Sequence, residues 1–173
     1  MENGKLPPVL LRKMLDKYTG YKREDVLLSG TVGEDCTFID FGKEILVTSA
    51  DPVTAAEKGI GKIAFNINMN DIATSGAEGI GLMLTILLPE GTPYSKLEEI
   101  MSEIHTEALK HRMQILGGHT EITDSVNRIV VSVCAMGRVK KGREILSTGL
   151  NPGDYLYVSK YLGIEGTLII LSD

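Results

Sequence analysis

Four acidic residues stand where the chain turns or where polar groups interrupt an apolar run. Asp35 follows Gly33-Glu34 in "SGTVGED". Asp51 closes "VTSAD" before Pro52, and Asp71 lies within "AFNINMNDIATSGA". Glu121 follows Gly117-Gly118-His119-Thr120. Each alone is ordinary turn chemistry, because Asp beside Gly or Pro is common. Together they offer what Mg²⁺ requires, carboxylate oxygens that leave positions for water and for substrate phosphates. Gly117-Gly118 adds backbone N–H groups that a phosphate can approach closely. The pattern is not a P-loop: no Lys-Ser or Lys-Thr follows at the required spacing, and no G-x-G-x-x-G opens a helix.

Asp71 poses the sharpest question. Counting back in helical steps gives Ile67, Ala64 and Ile60, so on a helix this carboxylate shares an apolar stripe, whereas Asn66 and Asn68 fall off it. A carboxylate so placed must be paired, metal-bound or protonated. A core Asp that caps a neighbouring loop or meets an Arg satisfies that demand as well as a metal site does, and spacing does not separate the two.

The elements that must position these residues follow from the hydrophobic pattern. Pro7-Pro8 opens a short amphipathic helix with Val9, Leu10, Met14 and Tyr18 on its inner side. "CTFIDF" and "EILVTSA" flank Gly42-Lys43 as a β-hairpin, "DPVTAAEKG" leaves the sheet, and a helix starts near Ile60. "IGLMLTILL" (80–88) is a buried strand. Thr92 and Pro93 are expected at N-cap and N1 of the clearest helix, with Leu97, Ile100, Met101, Ile104 and Ala108 inside and Lys96, Glu99, Glu103 and Lys110 outside. "QILGGHTEIT" is a strand running into a loop; "RIVVSVCAMGRV" and "DYLYVSKYL" are further strands. This order predicts an α+β fold with a mixed or antiparallel sheet packed with helices. The apolar run "GIEGTLIILSD" predicts one domain over residues 1–162 and, at 163–173, the start of a second domain or a tail docked on a partner chain.

Composition narrows the function classes. The chain has 173 residues, 43% hydrophobic and 24% charged, as expected for one soluble domain with a real core. A net charge of −5 gives no general electrostatic case for nucleic acid or an anionic membrane. Two cysteines make no disulfide framework, and no signal peptide or membrane-length apolar run is visible, so a cytoplasmic location is expected.

In order and spacing, "GED", "SAD", "NDIATSGA" and "GGHTE" resemble the amino-terminal domain of the aminoimidazole ribonucleotide (AIR) synthase superfamily. "GKLPP", "DPVT", "GGHTEIT" and "PGDYLYVSKYLGIEGT" carry the resemblance over nearly the whole chain and are most similar to the HypE-like, AIR synthase-related branch, which includes hydrogenase maturation proteins. The resemblance implies use of ATP and Mg²⁺ to phosphorylate a carbonyl, amide or similar oxygen of a small-molecule or protein-borne substrate, turning it into a leaving group. It also implies a homodimer whose strands form a shared barrel, with ATP near the interface. Carried over by position, Asp35, Asp51 and Asp71 would hold Mg²⁺ and the phosphates, and Asn70 would support Asp71. Gly117, Gly118, Thr120 and Glu121 would line the phosphate or metal site, Glu121 as a metal ligand and His119 beside the nucleotide. This chain has "GGHTE" where HypE proper tends to have Gly-Asp-Thr, and Glu78-Gly79 after Ala77 where the family often has Pro. It has no counterpart of the reactive cysteine segment of selenophosphate synthetase. The alternatives are a non-catalytic dimerising nucleotide-binding module and a phosphotransferase like thiamine monophosphate kinase.

The remaining chemical residues read as structural. Cys36 lies at a strand start with no neighbouring base, Cys134 lies inside an apolar strand, and both are expected in the core. His105 and His111 lack ligand spacing for zinc. His119 either meets the phosphate or shapes its turn. Lys140-Lys141-Gly142-Arg143 reads as a solvated turn.

Overall fold

The computed structural model describes residues 4–54, 56, 58–158 and 160–172. Its elements in chain order are α1 (Pro8–Lys17), β1 (Val26–Leu28), β2 (Thr37–Asp40), β3 (Glu44–Val53), α2 (Ile60–Thr74), β4 (Glu78–Leu88), α3 (Tyr94–Lys110), β5 (Gln114–Ile122), β6 (Val130–Lys140) and α4 (Ile164–Ser172). The six strands form one mixed sheet in the order β1-β2-β3-β6-β4-β5. All neighbours are antiparallel except β4 and β5, which are parallel and therefore need the α3 crossover between them. This is the expected α+β fold with a mixed sheet.

Alternation builds the core. Ile45 and Val47 of β3, Leu82, Leu84 and Ile86 of β4, and Val131, Val133 and Ala135 of β6 point to one face and are buried. The helix α2 covers that face with Ile60, Ala64, Phe65 and Ile72, and α3 packs on α2 through Ile100, Ile104 and Ala108. The other face carries no helix of the described residues. The hairpin turn forms as the sequence predicts: Gly42 takes φ 88° and its N–H donates to Asp40 Oδ1 at 2.8 Å.

Several expectations are corrected. The sheet is not left at "DPVT", because β3 continues through Val53, pairing with β6 to Val131. "GGHTE" is not a loop: it is the second half of β5, held in register along β4. From Leu82 to Leu88 burial falls on alternate residues, since one sheet face is bare. Pro93, not Thr92, is the N-cap of α3, and the Thr92 hydroxyl donates to the Pro89 carbonyl at 2.7 Å instead. No residue of α1 is buried; Val9, Leu10, Met14 and Tyr18 are exposed because α1 packs on no other element among the described residues. Residues 154–158, expected in a strand, form none, and Ser159 lies outside the described residues. The apolar tail forms the helix α4. No helix of the described residues is long and apolar enough to cross a membrane.

Candidate metal–phosphate site

β3 and α2 run in opposite directions against each other, and two polar contacts join them like rungs. In the first, the Asp51 N–H donates to Asn68 Oδ1 at 2.9 Å, while Asn68 Nδ2 donates to the Asp51 carbonyl at 3.2 Å and to the Ala64 carbonyl at 2.9 Å. In the second, Ser49 Oγ donates to Asp71 Oδ2 at 2.6 Å. The spacing follows from geometry: Ser49 and Asp51 are two apart on one strand face, and Asn68 and Asp71 are three apart on one helix face. The stripe read from the sequence exists, with Ile60 and Ala64 buried and Ile67 packed against the core. It is wider than counted, for Asn68 is completely buried and Asp71 sits half-buried at its margin.

Burial is the main force raising the Asp71 carboxyl above its ordinary range, with the negative charges of Asp51 and Asp35 adding to it. The Ser49 hydrogen bond and the Lys5 ammonium act the other way. Asp71 thus feels the charges of Asp51 and Asp35, and none of the three enters an ion pair among the described residues. Their hard oxygens and uncompensated charge fit Mg²⁺. No three His, Cys, Asp or Glu of the described residues close around one point as a complete cage. An open set suits an ion that usually takes its remaining ligands from water and phosphate. Cys36 donates its thiol to the Asp71 carbonyl at 3.2 Å, and burial, then the charges of Asp71, Glu34 and Asp35, push it up to about 12. It is a core thiol, not a nucleophile.

The glycine-rich strand lies elsewhere. Gly118 pairs with Leu84, which pairs with Val133, which pairs with Asp51, so Gly118 and Asp51 are three strands apart at one level of the sheet. At about 4.8 Å per strand that is about 14 Å. His119 and Glu121 pair with Thr85 and Leu87 on the bare face, opposite the helices. His119 Nε2 and Glu121 Oε2 are 3.2 Å apart. Thr120, paired with Ile86, is exposed on the helix side. Gly118 also has a local reason to be glycine: its φ is 143°, and a Cβ there would lie 1.8 Å from the Leu84 carbonyl oxygen. Gly117 has φ 148° and open space around it.

Within one chain, Asp35 and Asp51 lie near enough to Asp71 to raise its carboxyl, while Gly117, Gly118, His119, Thr120 and Glu121 lie on β5 at the far edge of the sheet. Asn70 is exposed, and the hydrogen bond on the Asp71 carboxylate comes from Ser49. Sequence reasoning missed Ser49 and Asn68. The signal was present: Ser49 is polar at an inward position of β3, and Asn68 follows Ala64 by four residues. It also missed Glu34, whose Oε2 accepts from the Ser147 N–H at 3.2 Å and Oγ at 2.6 Å. That contact straps the chain after β6 over a cavity of about 140 Å³ beside Asp35 and Cys36.

Comparison with known proteins follows the same outline. Residues 33–139 match the family described as AIR synthase related protein, N-terminal domain. A protein named for hydrogenase expression and formation in Methanocaldococcus jannaschii is 28% identical over 98% of this chain and 52% of its own length. Carbamoyl dehydratase HypE of Rhodobacter capsulatus is 31% identical over 69% of this chain and 36% of its own. The chain thus spans about half the length of the first and about a third of the second. Among solved structures, AaThiL complexed with AMPPCP and TMP superposes with a TM-score of 0.72 at 17% identity, covering 95% of this chain and 52% of that one.

Proposed function

This chain belongs to the AIR synthase-related family by its amino-terminal domain, and from that premise we propose that it is the ATP- and Mg²⁺-binding part of an enzyme that phosphorylates an oxygen of its substrate. The observation that carries the reading is the pair of rungs between β3 and α2. They hold the Asp51 main chain and the Asp71 carboxylate, both half-buried, within electrostatic reach of one another, and neither carboxylate has an ion pair among the described residues. Asp35, Asp51 and Asp71 would hold the metal, and Mg²⁺ there would neutralise the phosphates. Asn70, exposed next to Asp71, is free to meet the nucleotide or substrate. Phosphoryl transfer needs mostly positioning and charge neutralisation, which a rigid strand–helix pair is suited to provide.

The β5 residues enter this reading through a second copy. Gly117, Gly118, His119, Thr120 and Glu121 form an outer edge of the sheet, so a homodimer can bring that edge to the partner's carboxylates. The relatives' printed names favour the acceptor classes: a carbamoyl group in one and, in the ThiL complex, TMP. We place the substrate in the wider class of carbonyl, amide or similar oxygens, on a small molecule or borne on a protein.

The test is a nucleotide and metabolite thermal-shift panel on the full chain, with thiamine monophosphate as one arm. ATP with Mg²⁺ at about 100 times its Kd should stabilise the protein by about 2.7 kcal/mol. Asp71→Asn should remove most of that shift. An unchanged shift in the variant would sink the metal assignment.

A further inference from the structure

We propose that Asn68 is a positioning residue for this site, fixing the main chain that presents Asp51, and that Ser49 does the same for the Asp71 side chain. The inference rests on the reading of Asp51 and Asp71 as metal ligands.

The strand β2 stops at the pair Thr37–Thr48, so β3 runs on from Ser49 with β6 as its only strand partner among the described residues. On the vacated side, a strand would otherwise meet the N–H and C=O of Asp51. The Asn68 carboxamide takes its place, accepting from that N–H and donating to that carbonyl in the manner of a peptide group. The remaining amide proton goes to the Ala64 carbonyl. Every polar atom of a side chain with 0% exposure is thereby used. A helix interior favours Leu or Met over Asn, and a buried amide costs free energy unless it is bonded. An apolar residue would fill the same volume but leave the Asp51 main chain free to shift. One turn on, Ser49 is 5% exposed and spends its hydroxyl proton on Asp71 Oδ2. That leaves Oδ1 with no hydrogen bond from the described residues.

Groups that orient metal ligands commonly change metal affinity by about 10–100-fold when removed. The experiment uses the full chain with Mn²⁺ and AMPPCP, and reads the Mn²⁺ concentration giving half-maximal binding by electron paramagnetic resonance. Asn68→Ala should raise that midpoint at least about tenfold. Glu103→Ala, which loosens the other end of α2, serves as a destabilised control away from the site and should leave it unchanged. A wild-type midpoint in Asn68→Ala, with Asp51→Asn weakened, overturns the positioning role alone. Wild-type midpoints in both Asp51→Asn and Asp71→Asn overturn the underlying reading instead. Should Asn68→Ala not fold, Ser49→Ala decides, because it removes a single oxygen: a raised midpoint supports the proposal and an unchanged one overturns it.

Discussion

Glu107 and Asp71 are acids on neighbouring helices whose surroundings act in opposite directions. Glu107 is only 7% exposed, and Lys110 Nζ donates to its Oε1 at 2.8 Å. That hydrogen bond is the main cause holding its carboxyl below the ordinary value of 4.5, against the effect of burial, with help from the charges of Lys110, Lys62 and His111. Asp71 has a hydroxyl for its nearest partner, and burial wins. Under the proposed reading, Glu107 is a structural acid and Asp71 is the one left for a ligand. The difference also fixes a sign. A carboxyl whose folded value is lowered adds stability above its unfolded value and loses it as pH falls through the folded one. Glu107→Gln should therefore lower Tm near pH 7, and the gap to the wild type should close as pH falls below about 4.5. A gap that stays constant from pH 7 to pH 3 would contradict the assignment.

The helix α2 carries this chemistry, and its ends are held from outside. Gly59, its N-cap, is left-handed and gives no side-chain cap. The missing acceptor comes from α3: Glu103 Oε2 takes the Gly61 N–H at 2.9 Å and the Lys62 N–H at 3.3 Å. A carboxylate at a helix N-terminus is also attracted by the positive end of the helix dipole. Close approach makes this possible, since a Cβ on Gly61 would lie 2.4 Å from the Ile100 carbonyl oxygen. Glu103→Ala should cost about 1–2 kcal/mol in urea unfolding without changing the m-value, and Glu103→Gln should recover part of the loss. The elements themselves were legible, because periods of two and 3.6 survive in β3, α2, α3 and β6. Their polar connections were not. Glu103 sits on the outer face of an amphipathic pattern, yet its side chain reaches a neighbouring helix end. Asn68 looked off the stripe because the line through Asp71 is only one edge of a wider buried face. "GGHTE" looked like a loop because glycine pairs usually mark turns; here they accommodate the register shift at Leu82–Met83 and the close contact with Leu84.

At the scale of the whole molecule, the bare face of the sheet is the feature that a single chain does not resolve. Met83 and Thr85 of β4, Cys134 and Met136 of β6 and Leu116 of β5 lie on it, with Met83 41% and Leu116 47% exposed. A sheet covered by helices on one side ordinarily hides its second apolar face in another layer. The proposed homodimer would supply that layer and would bring together two halves of the candidate site that one chain keeps apart: the carboxylates lie on the helix side of β3 and α2, while His119 and Glu121 lie on the bare side of the opposite edge. Assembly and nucleotide binding should then fail together. Gel filtration with light scattering should give a dimer for the wild type. Met83→Glu, which sets a charge in the middle of the bare face and touches none of the metal candidates, should give a folded monomer. In that monomer the stabilisation by ATP with Mg²⁺ should fall by most of its value, although Asp35, Asp51 and Asp71 are intact. A monomeric Met83→Glu chain that keeps the full shift would mean that one copy holds the nucleotide unaided, and that β5 plays no part in the partner's site.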